Sequence, residues 1–419
     1  MSSLPTRARR DAGRAGTSWR SLRDLLPRAA RPHLEQALRD AGMVLRGLQG
    51  RGPAPLVQRP PRRDGAPQRT ALTARGVRIA RVVRETPDAV SLYLDDPTGG
   101  LDSFTPGQFL TVMVDVGGQT LRRAYSLASP ALPGEAPHVT VKRIPEGRVS
   151  GWLNERAQAG QVLRVLGPSG SFTVEPDPAT ERHLVMLAGG SGITPIMSIA
   201  HTVLAVEPRS RVTLIYGNRR ERDIIFRERI EALAREHGDR FRVDHVLSDP
   251  PEGWRGPAGL LDEATVDARI EALGVASDPA LRYFVCGPTP MMESVRAALT
   301  ARGVPAERIH EERFVRPEER RGPGRLPTEP QPVRIGIGGE DREVLVRPGQ
   351  TVLEAGLAAA LPMPFSCAMG GCGACRVRLE EGEVDMEEPN CLTGEERARG
   401  YVLACVSRPC GAARVRVES

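Results

Sequence analysis

Apolar positions change their spacing along this chain. Between about 77 and 174 they form short β-rich runs broken by Pro and Gly, which predicts an antiparallel β-barrel over 74–180. From His183 onward strand and helix patterns alternate. Residues 184–188, 212–216, 242–247 and 283–286 read as buried strands, a helix is predicted from Thr194, and Phe226, Ile230 and Leu233 mark one face of another. Such alternation predicts an α/β domain over 181–315 with a parallel, Rossmann-like doubly wound sheet. A polar, proline-rich stretch, 316–331, reads as a semi-rigid linker to a third domain over 332–419. Residues 1–73, rich in Arg, Pro and Gly, read as a largely disordered extension. Within it Leu34, Leu38, Ala41, Leu45 and Leu48 recur at steps of three and four. That is one short amphipathic basic helix: a peripheral contact with a membrane or partner, or a helix on its own domain or solvated tail.

Composition bounds the function classes. A chain of 419 residues is too long for one core and fits about three domains. No run of 18 apolar residues and no apolar leader before a cleavage site are found, so a cytoplasmic protein is expected. Seven cysteines, an odd number, fit a reducing compartment better than a disulfide framework. The net charge of +6 is unevenly placed: residues 1–70 hold 15 Arg against 5 acids, so the remainder is slightly acidic. Lys142 is the only lysine among 58 bases. No folded module with a basic face is evident, so no nucleic-acid partner is expected.

The strongest chemical signal is Cys367, Cys372 and Cys375 in a C-x4-C-x2-C run, with Cys405 downstream. This is the plant-type spacing in which four thiolates hold a 2Fe-2S cluster. Glycines and Ala374 suit a loop that needs positive φ angles and backbone N–H groups aimed at sulfur. A structural zinc site would more often arrive as two C-x2-C pairs. Cys286, Cys391 and Cys410 are left over.

Gly189-Gly190-Ser191-Gly192-Ile193-Thr194-Pro195 follows a predicted strand and opens a helix, which makes a site for a pyrophosphate. Beyond the second strand stand Arg219 and Arg220, which tilt the nucleotide towards NADPH over NADH if they face a 2′-phosphate; they also suit an exposed charged loop. On the barrel half, Arg123 suits a phosphate, Tyr125 a flavin ring and Ser126 its polar edge. Gly147 to Ser150 offer backbone amides to a diphosphate.

Arg123-x-Tyr125-Ser126, Gly147-x-x-Ser150, the 189–195 loop, Cys286-Gly287-Pro288 with Met291, and Glu312-Arg313-Phe314 follow in an order that resembles the ferredoxin–NADP reductase superfamily. With a C-terminal ferredoxin-like domain, the stretch from about 75 to 419 is similar to the reductase components of oxygenases, hydroxylases and fatty-acid desaturases. The resemblance implies a β-grasp fold for the last domain, and FAD held by Arg123, Tyr125, Ser126, Lys142, Gly147, Val149 and Ser150. Gly190, Gly192, Thr194, Pro195 and Arg219 would bind NAD(P)H, with Gly287, Pro288 and Phe314 bordering the rings. Tyr125, Ser126, Cys286 and Glu312 would form the catalytic set, although Cys286 also reads as a small apolar residue ending a strand.

The implied activity is electron transfer from NAD(P)H through FAD and a 2Fe-2S cluster to a partner oxygenase, hydroxylase or desaturase. Alternatives are a self-contained reductase of flavins, ferric chelates or quinones, and a redox-sensing binding protein. Six acids, Glu380, Glu381, Glu383, Asp385, Glu387 and Glu388, read as an acidic docking surface or as a solvated face.

Overall fold

In the computed structural model, which describes residues 74–117, 119–272, 274, 281–314, 327–387, 390, 392 and 394–418, the chain forms three large sheets in turn and one two-stranded ribbon. The extension expected over 1–73, the amphipathic helix expected within it and Cys391 lie outside those residues, as does most of the linker. The first sheet has six strands: β1 (Arg75–Thr86), β2 (Ala89–Asp95), β3 (Phe109–Val116), β4 (Gln119–Ser126), β5 (His138–Lys142) and β6 (Val162–Ser169). They pair antiparallel in the order β4-β3-β6-β1-β2-β5. A bridge between Leu127 and Val139 joins the end of β4 to β5 and closes the barrel. Val77, Ile79, Leu92, Leu110, Val112, Val139 and Val165 fill its interior, each with no residual exposure. Each such side chain contributes about 1.5–3 kcal/mol of burial free energy. Helix α1 (Arg148–Arg156) adds Val149 and Leu153 to that core.

The second sheet is fully parallel: β7 (His183–Gly189), β8 (Arg211–Asn218), β9 (Phe241–Leu247), β10 (Arg282–Cys286) and β11 (Ile309–Glu312), in the order β11-β10-β7-β8-β9. Alternate residues of each strand face opposite layers. Leu184, Met186 and Ala188 of β7 pack with α2 (Ile193–Val206) and α3 (Arg227–His237). Val185 and Leu187 pack with α4 (Glu263–Ala272) and α5 (Thr289–Ala301). Eleven of the fourteen residues of α2 are buried, because Ala89, Ala128, Phe172 and Val174 from the barrel segment cover its other side. Strand order reverses between β7 and β10, so a crevice opens beyond their carboxyl ends, where doubly wound sheets bind ligands.

The third domain holds β12 (Gln331–Ile337), β13 (Glu340–Val346), α6 (Val352–Ala358), β14 (Arg376–Glu381), β15 (Val384–Met386), α7 (Gly394–Ala398), β16 (Tyr401–Leu403), β17 (Ser407–Pro409) and β18 (Ala413–Arg416). Five strands form a mixed sheet, β13-β12-β18-β14-β16, in which only β12 and β18 run parallel; β15 and β17 form a separate ribbon. A capping box starts α6: Thr351 accepts from the Glu354 N–H, and Glu354 accepts from the Thr351 N–H. Ala74, Met113 and Leu166 of the barrel domain pack into this domain's core. Among the described residues no helix is long and apolar enough to cross a membrane.

Candidate functional site

The expected flavin segment lies on β4, on the edge of the barrel sheet next to β3. Tyr125 stands opposite Leu110 and packs partly buried against the barrel core, while Arg123 stands opposite Val112 and donates to the Arg122 carbonyl at 2.6 Å. Ser126 is buried and its Oγ donates to Glu312 Oε2 at 3.2 Å, which ties the barrel to the last strand of the parallel sheet. Burial pushes the Glu312 carboxyl up to about 8, against the opposing Ser126 hydrogen bond. Glu312 is the register partner of Cys286 on β10. Phe314 follows, 38% exposed.

Two helix starts converge on the same region from the two domains. Gly147 precedes α1 with no side-chain cap, so its first N–H groups are open to an anion. The Ser150 hydroxyl accepts from the Ile144 N–H at 3.1 Å and donates to the Gly147 carbonyl at 3.2 Å, which shapes the turn. The Val149 side chain belongs to the barrel core, so only its backbone faces the turn. On the other side Gly190 to Gly192 form one 3-10 turn before α2, again without a side-chain cap. Pro195 sits in the first turn of α2, where its missing N–H costs no hydrogen bond. The Thr194 hydroxyl donates to the Ser191 carbonyl at 3.0 Å. Tyr216, fully buried on β8, donates to the Gly190 carbonyl at 2.9 Å; nothing in the sequence pattern distinguished it from other core tyrosines. Lys142 reaches this loop from β5: its Nζ is 3.8 Å from where a β-carbon on Gly190 would lie, and 3.7 Å from Asp88 Oδ2.

Close packing explains two glycines there. A β-carbon on Gly192 would lie 2.1 Å from the Cys286 carbonyl oxygen, and one on Gly287 would lie 2.9 Å from Met291 Sδ and 3.0 Å from the Gly189 nitrogen. Cys286 itself has no exposure, and burial raises its thiol well above the ordinary range. It therefore ends β10 as a neutral core side chain, with Pro288 leading into α5. Arg219 is exposed at the end of β8, whereas Arg220 is held by Asp249 at 2.6 Å.

Cys367, Cys372 and Cys375 share one loop beside the barrel, and Cys405, in the turn after β16, meets it there. Ala368, Gly370 and Gly373 all have positive φ, from 52° to 76°, which turns the chain around the thiols. N–H groups of Cys367, Gly370 and Gly371 point at the sulfurs of Cys372, Cys405 and Cys367 at 3.4, 3.2 and 3.3 Å. The Cys367 thiol, with the N–H groups of Cys367 and Ala374, brings Cys372 down to about 6. Among the described residues no three His, Cys, Asp or Glu side chains converge as one metal ion would need. The cysteines fall instead into two hydrogen-bonded pairs, Cys367 with Cys372 and Cys375 with Cys405. Two pairs of thiolates in a shell of N–H donors fit a two-iron cluster, each iron taking one pair, better than a single zinc ion.

Three of the six acids in the acidic run meet arginines. Glu380 pairs with Arg414 at 3.1 Å and Arg416 at 2.5 Å, Glu381 lies 3.9 Å from Arg414, and Glu387 pairs with Arg408 at 2.7 Å. Glu388 lies outside the described residues. Strand β18 carries Arg414 and Arg416 across the sheet from β14, and β17 carries Arg408, an arrangement that linear charge counting does not reveal.

Comparisons with known proteins agree with this architecture. Residues 80–174 match the oxidoreductase FAD-binding domain, residues 186–297 the oxidoreductase NAD-binding domain, and residues 335–410 the 2Fe-2S iron-sulfur cluster binding domain. The E component of 1,2-phenylacetyl-CoA epoxidase from Escherichia coli is 33% identical over 344 residues, 80% of this chain and 95% of its own. The ferredoxin reductase component of 3-ketosteroid-9-alpha-monooxygenase from Mycobacterium tuberculosis is 37% identical over 357 residues, 80% of this chain and 92% of its own. The solved structure of phthalate dioxygenase reductase covers 82% of this chain and 98% of its own with a TM-score of 0.56 and 26% identity. The chain therefore belongs to the ferredoxin-reductase-type reductase components of oxygenases, NAD(P)H-dependent oxidoreductases that carry FAD and a C-terminal 2Fe-2S cluster.

Proposed function

We propose that this chain reduces a separate multicomponent oxygenase, and that electrons enter at the crevice above β7 and β10 and leave at the cluster loop. The observation that carries this reading is the contact between that loop and the flavin-segment side of the barrel. Phe109 of β3 and Ala124 of β4 pack against Cys367, Met369 and Cys372, and the Thr111 hydroxyl donates to the Cys367 carbonyl at 3.0 Å. When bound, FAD accepts hydride as an electron pair and passes electrons singly to the cluster, which bridges the two stoichiometries.

The protein's own residues bind, orient and manage protons. Arg123 and the α1 N-terminus, with Gly147, Val149 and Ser150, hold the flavin diphosphate, and Tyr125 supports its ring. Gly190, Gly192, Thr194 and Pro195 present backbone to the nicotinamide nucleotide, Lys142 adds a positive charge beside Gly190, and Gly287 and Pro288 let the ring approach. Ser126 Oγ and Glu312 Oε2 form a proton path into the flavin edge, with Glu312 holding its proton at neutral pH. Cys286 serves as a neutral wall, and Phe314 borders the flavin.

Exposed Arg219 supports NADPH over NADH, because Arg220 is already engaged by Asp249. The electron exit is the exposed Ala374, between Cys372 and Cys375 on the half-buried cluster loop. An oxygenase is favoured over a desaturase as acceptor because the relatives above are oxygenase components. Anaerobic titration with NADPH and then NADH, followed by visible absorption and low-temperature EPR, tests the reading. Flavin bleaching accompanied by the signal of a reduced 2Fe-2S centre is expected. Bleaching with no cluster signal in iron-loaded protein would favour a self-contained reductase of small acceptors.

A further inference from the structure

We infer that Thr111 and Arg122, on neighbouring barrel strands, are positioning residues that clamp the ferredoxin domain so that both cysteine pairs keep a fixed register with the flavin segment. The inference rests on the reading that FAD lies along Arg123 to Ser126. Thr111 is the only hydroxyl in β3, Phe-Leu-Thr-Val-Met-Val-Asp-Val, and it is buried. Its register partner is Ala124, between Arg123 and Tyr125. The Thr111 hydroxyl donates to the carbonyl of Cys367 at 3.0 Å, across 256 positions of sequence. The inner arm of the clamp thus ends on the Cys367–Cys372 pair.

The outer arm reaches the other pair. Arg122 Nη2 lies 2.8 Å from Glu354 Oε1, with both side chains about a quarter exposed. Glu354 Oε2 accepts from the Thr351 N–H at 3.0 Å in the capping box, so the carboxylate is held in place before Arg122 meets it. Its neighbour Leu353 donates its N–H to the Ala404 carbonyl at 2.9 Å, and the Ala404 N–H donates to the Cys375 carbonyl at 3.0 Å. Arg122 is thereby linked through α6 to the segment that carries Cys375 and Cys405. Apolar contacts from Phe109, Met113 and Leu166 hold the two domains together, yet such contacts are non-directional and tolerate sliding. The hydrogen bond and the ion pair supply direction.

The test uses the full-length protein loaded with FAD and cluster, with Thr111→Val, Thr111→Ser, Arg122→Gln and Glu354→Gln. Gln at 354 keeps an acceptor for the capping box and removes only the charge. Flash photoreduction of the flavin isolates the flavin-to-cluster step from hydride transfer. Thr111→Val is expected to slow that step at least about tenfold, a displacement of order 1 Å costing up to about 10²-fold in a positioned reaction, and Thr111→Ser to restore it. Arg122→Gln and Glu354→Gln should slow it alike, and the wild type should fall towards them in about 1 M salt, where the Debye length is near 3 Å. Bleaching of the flavin by NADPH should stay within about twofold in all four, because none of these side chains meets the nicotinamide crevice. Amide hydrogen exchange at Gly370 and Gly371 should quicken in Thr111→Val, a readout independent of turnover.

Transfer at the wild-type rate in Thr111→Val and Arg122→Gln, or equal slowing of bleaching and transfer, overturns the clamp. Should Thr111→Val lose iron, the two charge variants, at side chains about a quarter exposed, decide the matter by the same criterion. Flavin retention in Arg123→Ala reports on FAD placement separately, so failure of that reading is told apart from failure of the clamp.

Discussion

Glu312 shows how much a single residue depends on its surroundings. In sequence it is one acid in a Glu-Glu-Arg-Phe string, but in the fold it ends β11 beside Ser126 and Cys286, and burial lifts it to about 8. A raised folded-state pKa contributes stability that is complete below the unfolded value, about 4.3, and is lost as pH rises through about 8. Glu312→Gln should therefore flatten the fall in stability between about pH 5 and 8, measured as urea midpoints across that range. The same variant should also alter the pH dependence of flavin bleaching by NADPH, because the hydride step consumes no proton and Glu312 acts on it through the charge at the flavin edge. An unchanged pH profile would remove Glu312 from the proton path. Arg219 makes a second prediction of the same kind. Arg219→Ala should raise the KM for NADPH about tenfold and leave that for NADH within about twofold, as the loss of one charge-assisted hydrogen bond requires. Equal changes for both nucleotides would assign Arg219 to solvent.

Among the elements, the glycine loop was legible because its physical demands are local. A strand, a tight turn and a helix start need small residues in sequence order, and Gly189 to Pro195 spell that order. The reason Gly192 is glycine is not local, however: the obstacle is the Cys286 carbonyl, 94 positions away on β10. Gly192→Ala should force the loop off β10, raising the KM for NADPH at least about tenfold while flavin and iron contents hold, at about 1–3 kcal/mol of overpacking. A normal KM, measured by steady-state kinetics with a dye acceptor, would mean that the loop relaxes without loss. A capping box at Thr351 and Glu354 starts α6. Its second use, holding Glu354 for Arg122, has no sequence signature, because the partners stand 232 positions apart.

For the whole molecule, the arrangement of charge and the seating of the third domain matter most. Glu380, Glu381 and Glu387 are tied to Arg414, Arg416 and Arg408, so half of the six acids expected to form an acidic face already have cationic partners. Glu380→Gln with Glu381→Gln should change the rate of oxygenase reduction by less than about twofold, since exposed ion pairs contribute little and salt screens them. A large loss confined to the oxygenase, with cytochrome c reduction intact, would restore the acidic docking face.

Domain order, the strand-and-helix succession of the parallel sheet and the presence of a 2Fe-2S domain were readable along the chain, because each rests on spacing within a few dozen residues. Cysteines at C-x4-C-x2-C and a glycine turn after a buried strand carry their chemistry in their neighbours. Tertiary structure alone decided the rest: the burial of Cys286, the upward push on the Glu312 carboxyl, the arginines that face β14, and the seating of Thr111 on Cys367. All four depend on which surfaces meet across domain or strand boundaries. Desolvation and long-range hydrogen bonding are properties of those meetings, and no local pattern encodes them.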